Sequence, residues 1–332
     1  MRQLIARFPS MGVVLPRKRQ LCSSSRLFCM DYQNSAKYFE DITIPIPWGN
    51  VSGKWWGAAN VQPILAVHGW EDNAGSFDEL APLLVSENSS FLAIDLPGHG
   101  KSSHVPLGTT YNFMDGVTLI RQIVKHYNWD KITLIGHSYG SKVTFTYSAF
   151  FPNNVLNLIG IDCARAEIIQ TEDNVAQGLR TAIESALYLE EKIAQKKPPA
   201  YSMAEMIQLM QTASKGPFSK KCCEAILKRG AKESYVKGKY YFSRDPRLKA
   251  LPFGRLSEEM LFACASRISC NVLQLNAKPG WGFGQSEAHG KTLELMEMGA
   301  RRFEHYFLEG THHFHLDTPE QVASVVKKFL ES

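Results

Sequence analysis

Gly136-His137-Ser138-Tyr139-Gly140 decides how this chain is read. The pentapeptide follows an apolar, β-branched run, Lys131-Ile132-Thr133-Leu134-Ile135, and leads into a helix-compatible segment from Ser141-Lys142-Val143. Strand, G-x-S-x-G and helix in that order are the context of a nucleophile elbow. The spacing has a steric cause. On so sharp a turn, a Cβ two residues before or after the serine would collide with neighbouring backbone, and glycine also accepts the dihedrals the turn demands. Ser138 Oγ would then stand at the start of a helix, where backbone N–H groups and the helix dipole favour negative charge. The plain alternative is a chance match in a buried loop, and both flanks weigh against it.

Outward from the elbow, short apolar runs recur. Phe39 to Ile46 alternates like a strand, Trp48-Gly49-Asn50 supplies a turn, and Val51 to Gly57 returns as the second half of a hairpin. Ile64-Leu65-Ala66-Val67 ends in His68-Gly69-Trp70, and Phe91-Leu92-Ala93-Ile94 ends in Asp95-Leu96-Pro97-Gly98-His99-Gly100. Ser76 to Val85 has helical spacing, as does Tyr111 to Tyr127 with Phe113, Val117, Ile120 and Val124 on one face. Val155 to Ile161 reads as a further buried strand. Apolar strands alternating with helices imply an α/β fold with a mostly parallel central sheet covered on both faces.

The rhythm changes between Cys163 and Ala265. Glu167–Lys196 is charged and helical, Lys197-Pro198-Pro199 breaks it, and helical segments resume at Met203–Thr212 and Lys220–Arg229. Sheet patterning returns at Asn271-Val272-Leu273-Gln274-Leu275, followed by a helix near Ser286–Met298, a last strand from Arg302 to Leu308 and a closing amphipathic helix from Pro319 to Leu330. The expected organisation is a core of residues 38–162 and 266–332 with a helical cap, residues 163–265, inserted into it. Tyr201, Met203, Met206, Met210, Tyr240 and Phe242 are candidates for an apolar lining in the cap, or for its own packing.

Composition bounds the function classes. Of 332 residues, 44% are hydrophobic and 21% charged, as in ordinary globular proteins. No apolar run approaches the roughly 20 residues that span a bilayer, so no transmembrane segment is expected. Net charge is +5, but residues 1–30 hold six Arg and Lys and no acid, so the rest of the chain stands at −1. The basic balance therefore argues for no nucleic-acid partner. The Arg- and Ser-rich, acid-free leader resembles a mitochondrial transit peptide. A disordered extension, or an upstream start with Met30 as alternative initiator, is the competing reading, with a cytoplasmic location. The seven cysteines, Cys22, Cys29, Cys163, Cys222, Cys223, Cys264 and Cys270, form no C-x-x-C and no zinc-spaced Cys/His pair, so free thiols in a reducing compartment are expected.

Across residues 38–330 the chain resembles the α/β-hydrolase superfamily, and within it the kraken-type, serine-hydrolase-like proteins. The broad match rests on His68-Gly69-Trp70, Asp95 to Ser102, the elbow, and His312 ahead of Pro319-Glu320. The narrower one rests on His68 to Phe77 and on Phe242-Ser243-Arg244-Asp245-Pro246-Arg247-Leu248. The resemblance implies Ser138 as nucleophile and a histidine near the C-terminus as base. His312, His313 and His315 compete; the family's spacing to the helix-starting proline selects His312, with His313 next and His315 as a packing residue. It further implies an oxyanion hole from the backbone N–H groups of Trp70 and Tyr139. The acid is the departure. The usual position, after the seventh strand, falls near Gly280, with Glu287 the nearest carboxylate downstream. Some members place the acid at the end of the sixth strand, and there stands Asp162. Asp95 and His99 are expected to shape a turn. The implied activity is a serine hydrolase cleaving a small or medium ester or thioester, its partner a small-molecule acyl substrate, with no metal and no organic cofactor. A catalytically inactive ligand-binding protein and an acyltransferase on the same scaffold are the alternatives.

Overall fold

The computed structural model describes residues 38–162, 172–195, 197–213, 218–250, 252–254, 256–278 and 287–332. The leader, Cys163 and the stretch around Gly280 lie outside them. Eight strands form one sheet: β1 (Phe39–Ile46), β2 (Gly49–Trp56), β3 (Pro63–Val67), β4 (Ser90–Ile94), β5 (Ile132–His137), β6 (Val155–Ile161), β9 (Asn271–Lys278) and β10 (Arg302–Glu309). Their order is β1-β2-β4-β3-β5-β6-β9-β10. β2 is antiparallel to both of its neighbours and every other pair is parallel. β7 (Ala231–Glu233) and β8 (Tyr240–Phe242) pair with each other outside that sheet.

Alternation along the central strands sets the layers. Leu65, Val67, Leu92, Ile94 and Leu134 pack into one buried cluster, while Ile64, Ala66, Phe91, Ala93 and Ile135 pack into the other. The two-residue period of a strand requires this. The first cluster is closed by α1 (Phe113–His126) and α2 (Tyr139–Phe150), through residues such as Ile120, Ile123 and Val143. The second is closed by Phe77, Leu80 and the C-terminal helix Pro319–Glu331, through Val322 and Val326. Both faces of the sheet are covered, which is why its central strands carry apolar residues on both sides.

Two expectations change. Ser76 to Val85 is not one helix: it is a turn at Ala74–Phe77, capped by the Asn73 side chain on the Gly75 N–H at 2.9 Å, then a turn at Ala81–Leu84. Pro82 lies in the second turn, and a proline cannot extend a helix that arrives from upstream. The inserted segment holds α3 (Glu172–Gln195), α4 (Met203–Ala213), α5 (Lys220–Gly230) and the β7–β8 pair. The next helix, α6 (Glu258–Ala265), which the sequence reading places in the cap, buries Leu261, Cys264 and Ala265 in the first core cluster beside Val143 and Ile268. It belongs to the sheet's helical layer because its apolar face completes that core.

α7 (Glu287–Gly299) precedes β10, and α8 (Pro319–Glu331) ends the chain. From β3 the chain crosses to β4 on one side and then to β5 on the other. Such a reversal opens a crevice beyond the strand ends, where α/β sheets bind ligands. The residues that follow β3 and β5 there are His68-Gly69-Trp70 and Ser138.

Candidate active site

Ser138 caps α2 at φ 51° and ψ −116°, a conformation sparsely populated by residues with a Cβ. The close approach that creates it is visible at both glycines. A Cβ on Gly136 would stand 2.5 Å from the Gly140 carbonyl oxygen and from Ser141 N. One on Gly140 would stand 2.0 Å from the Val67 carbonyl oxygen, on the strand that carries His68. The Ser138 N–H donates to the Ile161 carbonyl at 2.9 Å, pinning the turn to β6.

His312 lies on the loop after β10, and its Nδ1 is 2.5 Å from Asp162 Oδ2. With the carboxylate accepting, Nδ1 carries the hydrogen and Nε2 is the basic nitrogen of the neutral ring. Asp162 follows β6 at φ 51°. Its N–H donates to Leu275 C=O at 2.7 Å, and its Oδ1 accepts from the Ala277 N–H at 2.9 Å. The carboxylate therefore leans across onto β9, the strand at whose end the resemblance usually puts the acid. Burial pushes the Asp162 carboxyl up, but hydrogen bonds from His312 and Ala277 outweigh it and hold the group below the usual carboxylate range. For His312 burial is the largest influence and lowers the imidazole below its ordinary value, while Asp162 pulls the other way.

The competing residues fall elsewhere. His313 Nε2 is 3.2 Å from Asp72 Oδ2, not on Asp162. His315 is fully buried between the rings of His137 and Phe77, a packing position. Glu287 opens α7 and is exposed. Trp70 packs its ring against Tyr139 and His99, and its indole N–H donates to the Leu248 carbonyl of the insertion at 2.8 Å. Asp95 and His99 shape the turn: Asp95 accepts from the N–H groups of Ala74 and Lys101, and His99 Nε2 accepts from Glu71 N–H. Tyr201, Tyr240 and Phe242 gather about one another, Tyr201 bridging to Tyr240 through paired backbone bonds, and Met206 is buried in α4.

Residues 62–195 match the α/β hydrolase fold family model. A probable serine hydrolase of Drosophila melanogaster is 42% identical over 294 residues, covering 88% of each chain. Human serine hydrolase-like protein 2 is 30% identical, covering 88% of this chain and 94% of its own. The chain belongs to the serine hydrolase-like family of the α/β-hydrolase fold. Among solved structures, a hypothetical protein of Pseudomonas aeruginosa superposes with a TM-score of 0.77 at 27% identity, over 88% of this chain and all of its own.

The sequence shows neither the role of Arg229 nor the partners of Asp72, Asp245 and Arg247, which it presents only as members of quoted motifs. Arg229, at the end of α5, buries its guanidinium between Asp95 Oδ2, 2.7 Å from Nε, and Asp41 Oδ1, 2.5 Å from Nη1. Asp245 takes Arg247 Nη2 at 2.8 Å and the Tyr111 hydroxyl at 2.9 Å, and its N–H donates to Gly98 C=O at 2.8 Å. The Ser243–Leu248 motif thus clamps the insertion onto the Asp95–Gly100 turn. Asp72 faces two histidines. Arg229–Asp95, Asp245–Tyr111 and Asp72–His313 each join residues more than a hundred positions apart, which no local spacing reports. Among the described residues the four cysteines, Cys222, Cys223, Cys264 and Cys270, are buried free thiols, and no helix is long and apolar enough to cross a membrane.

Proposed function

We propose that this chain hydrolyses a small or medium carboxylic ester or thioester through an acyl-enzyme on Ser138. The observation that carries the reading is the 2.5 Å contact between His312 Nδ1 and Asp162 Oδ2 beside a strained serine elbow. Asp162 fixes the tautomer and steadies the imidazolium. His312 Nε2 takes the hydroxyl proton as Ser138 Oγ attacks the acyl carbon, and returns it to the departing alcohol or thiol. The N–H groups of Trp70 and Tyr139 stabilise the developing oxyanion, a contribution of about 10²–10³ in rate per donor. Water, activated by the same histidine, releases the acid. The inactive reading starts from the carboxylate missing after β9; the contact of Asp162 with His312 supports the active one.

The test is fluorophosphonate labelling and turnover of p-nitrophenyl acetate and butyrate. Wild type should label and turn over. Ser138→Ala and His312→Ala should each lose about 10⁶-fold in kcat, and Asp162→Asn about 10⁴-fold with folding intact. A wild-type protein that neither labels nor hydrolyses would sink the proposal, and an active Asp162→Asn would move the acid elsewhere.

A further inference from the structure

Two loops and the end of β5 bring Asp72, His137 and His313 together beside the elbow. Asp72 follows the His68-Gly69-Trp70 turn, His137 ends β5, and His313 follows β10. Asp72 Oδ2 is 3.2 Å from His313 Nε2 and 3.6 Å from His137 Nδ1, and the three atoms all lie within 4.8 Å of one another. All three residues are buried, His137 completely.

His137 carries the argument. Its Nε2 is 3.0 Å from the His312 carbonyl oxygen. A carbonyl only accepts, so Nε2 bears the hydrogen and Nδ1 of the neutral ring presents a bare lone pair. That nitrogen has no hydrogen-bond partner. It faces a carboxylate oxygen at 3.6 Å, too far for a hydrogen bond. Two lone pairs opposed in an enclosed site repel, and a positive charge between them removes the conflict. Gly69 keeps that side open: a Cβ there would stand 3.0 Å from Asp72 Oδ2 and 3.1 Å from His137 Nδ1.

We propose that Asp72 Oδ2, His137 Nδ1 and His313 Nε2 form a binding site for a divalent transition-metal ion of the zinc class. Two imidazoles and one carboxylate are the donors that suit Zn²⁺, Co²⁺ and Ni²⁺. The two edges from Asp72 Oδ2, 3.2 Å and 3.6 Å, lie on either side of the edge of about 3.4 Å for a tetrahedron with bonds of about 2.0–2.2 Å; the third, between the two imidazole nitrogens, is bounded only by the cluster's 4.8 Å span and would close on binding. The bond from His137 Nε2 to the His312 carbonyl is the outer contact that usually orients a metal-bound imidazole. None of the three ligands is Ser138, His312 or Asp162, although His137 adjoins Ser138 and bonds the His312 carbonyl. Its effect would be to staple the loops after β3, β5 and β10. Sequence spacing cannot reveal it, because Asp72 and His313 lie 241 positions apart.

The experiment is titration of chelator-treated, full-length protein with ZnCl₂ by calorimetry and with CoCl₂ by visible absorption, followed by zinc-edge X-ray absorption on the wild-type complex. The expected result is one ion per chain, low-coordinate Co²⁺ bands, and a nitrogen/oxygen shell without sulfur. Asp72→Asn and His313→Gln should weaken binding by more than about 100-fold, the upper end for loss of an outer contact. Failure of the wild type to take up one equivalent overturns the proposal. Sulfur in the shell, or unchanged binding in both variants, overturns it as well. The wild-type measurements stand even if a variant fails to fold.

Discussion

At Ser138 the backbone holds φ 51° and ψ −116°, a region that costs a residue with a Cβ about 1–3 kcal/mol. Glycine would relieve most of that, less its own chain-entropy cost. Ser138→Gly is therefore expected to be inert yet more stable by about 1 kcal/mol, seen as a rise of about 2 °C in thermal midpoint. A lower midpoint would mean that the hydroxyl contributes more to folding than the strain removes. The elbow was legible in the sequence because its logic is local: Gly136 and Gly140 are required by atoms within a few residues or on the next strand. Asp162 was harder to read. Its carboxylate meets His312 across 150 positions, and only the β6–β9 pairing explains how a residue after the sixth strand comes to lie beside the seventh.

Elements attach the insertion to the sheet through buried charge. Asp245 faces Arg247 on its own turn, the Tyr111 hydroxyl ahead of α1, and His104 Nδ1 at 3.4 Å; Glu190 of α3 meets Arg247 from the other side at 3.1 Å. Burial raises the Asp245 carboxyl, but Arg247 outweighs it, so the group titrates below its unfolded value of 3.8. A depressed folded value means that its stabilisation is present above about pH 4 and lost as pH falls through the folded value. Asp245→Asn leaves Arg247 with the partly exposed Glu190 as its one remaining carboxylate and should cost about 3 kcal/mol, the lower end for a broken buried pair, at pH 7 in urea unfolding. The gap to wild type should narrow below about pH 4, and a gap independent of pH would count against the ion pair as its source. At this scale the sequence read strands better than short helices. The helical spacing of Ser76 to Val85 passed through Pro82, and α6 fell inside the cap because strand patterning returns only at Asn271.

From Tyr38 onward the described residues form one compact unit, although the insertion interrupts the sheet between β6 and β9. Arg229, Ser243, Asp245 and Leu248 each bond to the loops at the strand ends. Calorimetry should therefore show a single unfolding transition; a separate, earlier one would mean that the insertion melts by itself. The parallel sheet was readable from alternating apolar runs. The route of the insertion over the sheet was not, since it depends on partners that no periodicity encodes.

The Trp70 indole holds Leu248 of the insertion, while its main-chain amide is the proposed oxyanion donor. One residue thus joins the insertion to the proposed reaction. Drift in the insertion that shifts Leu248 would be passed, on that proposal, to the atom that steadies the reaction.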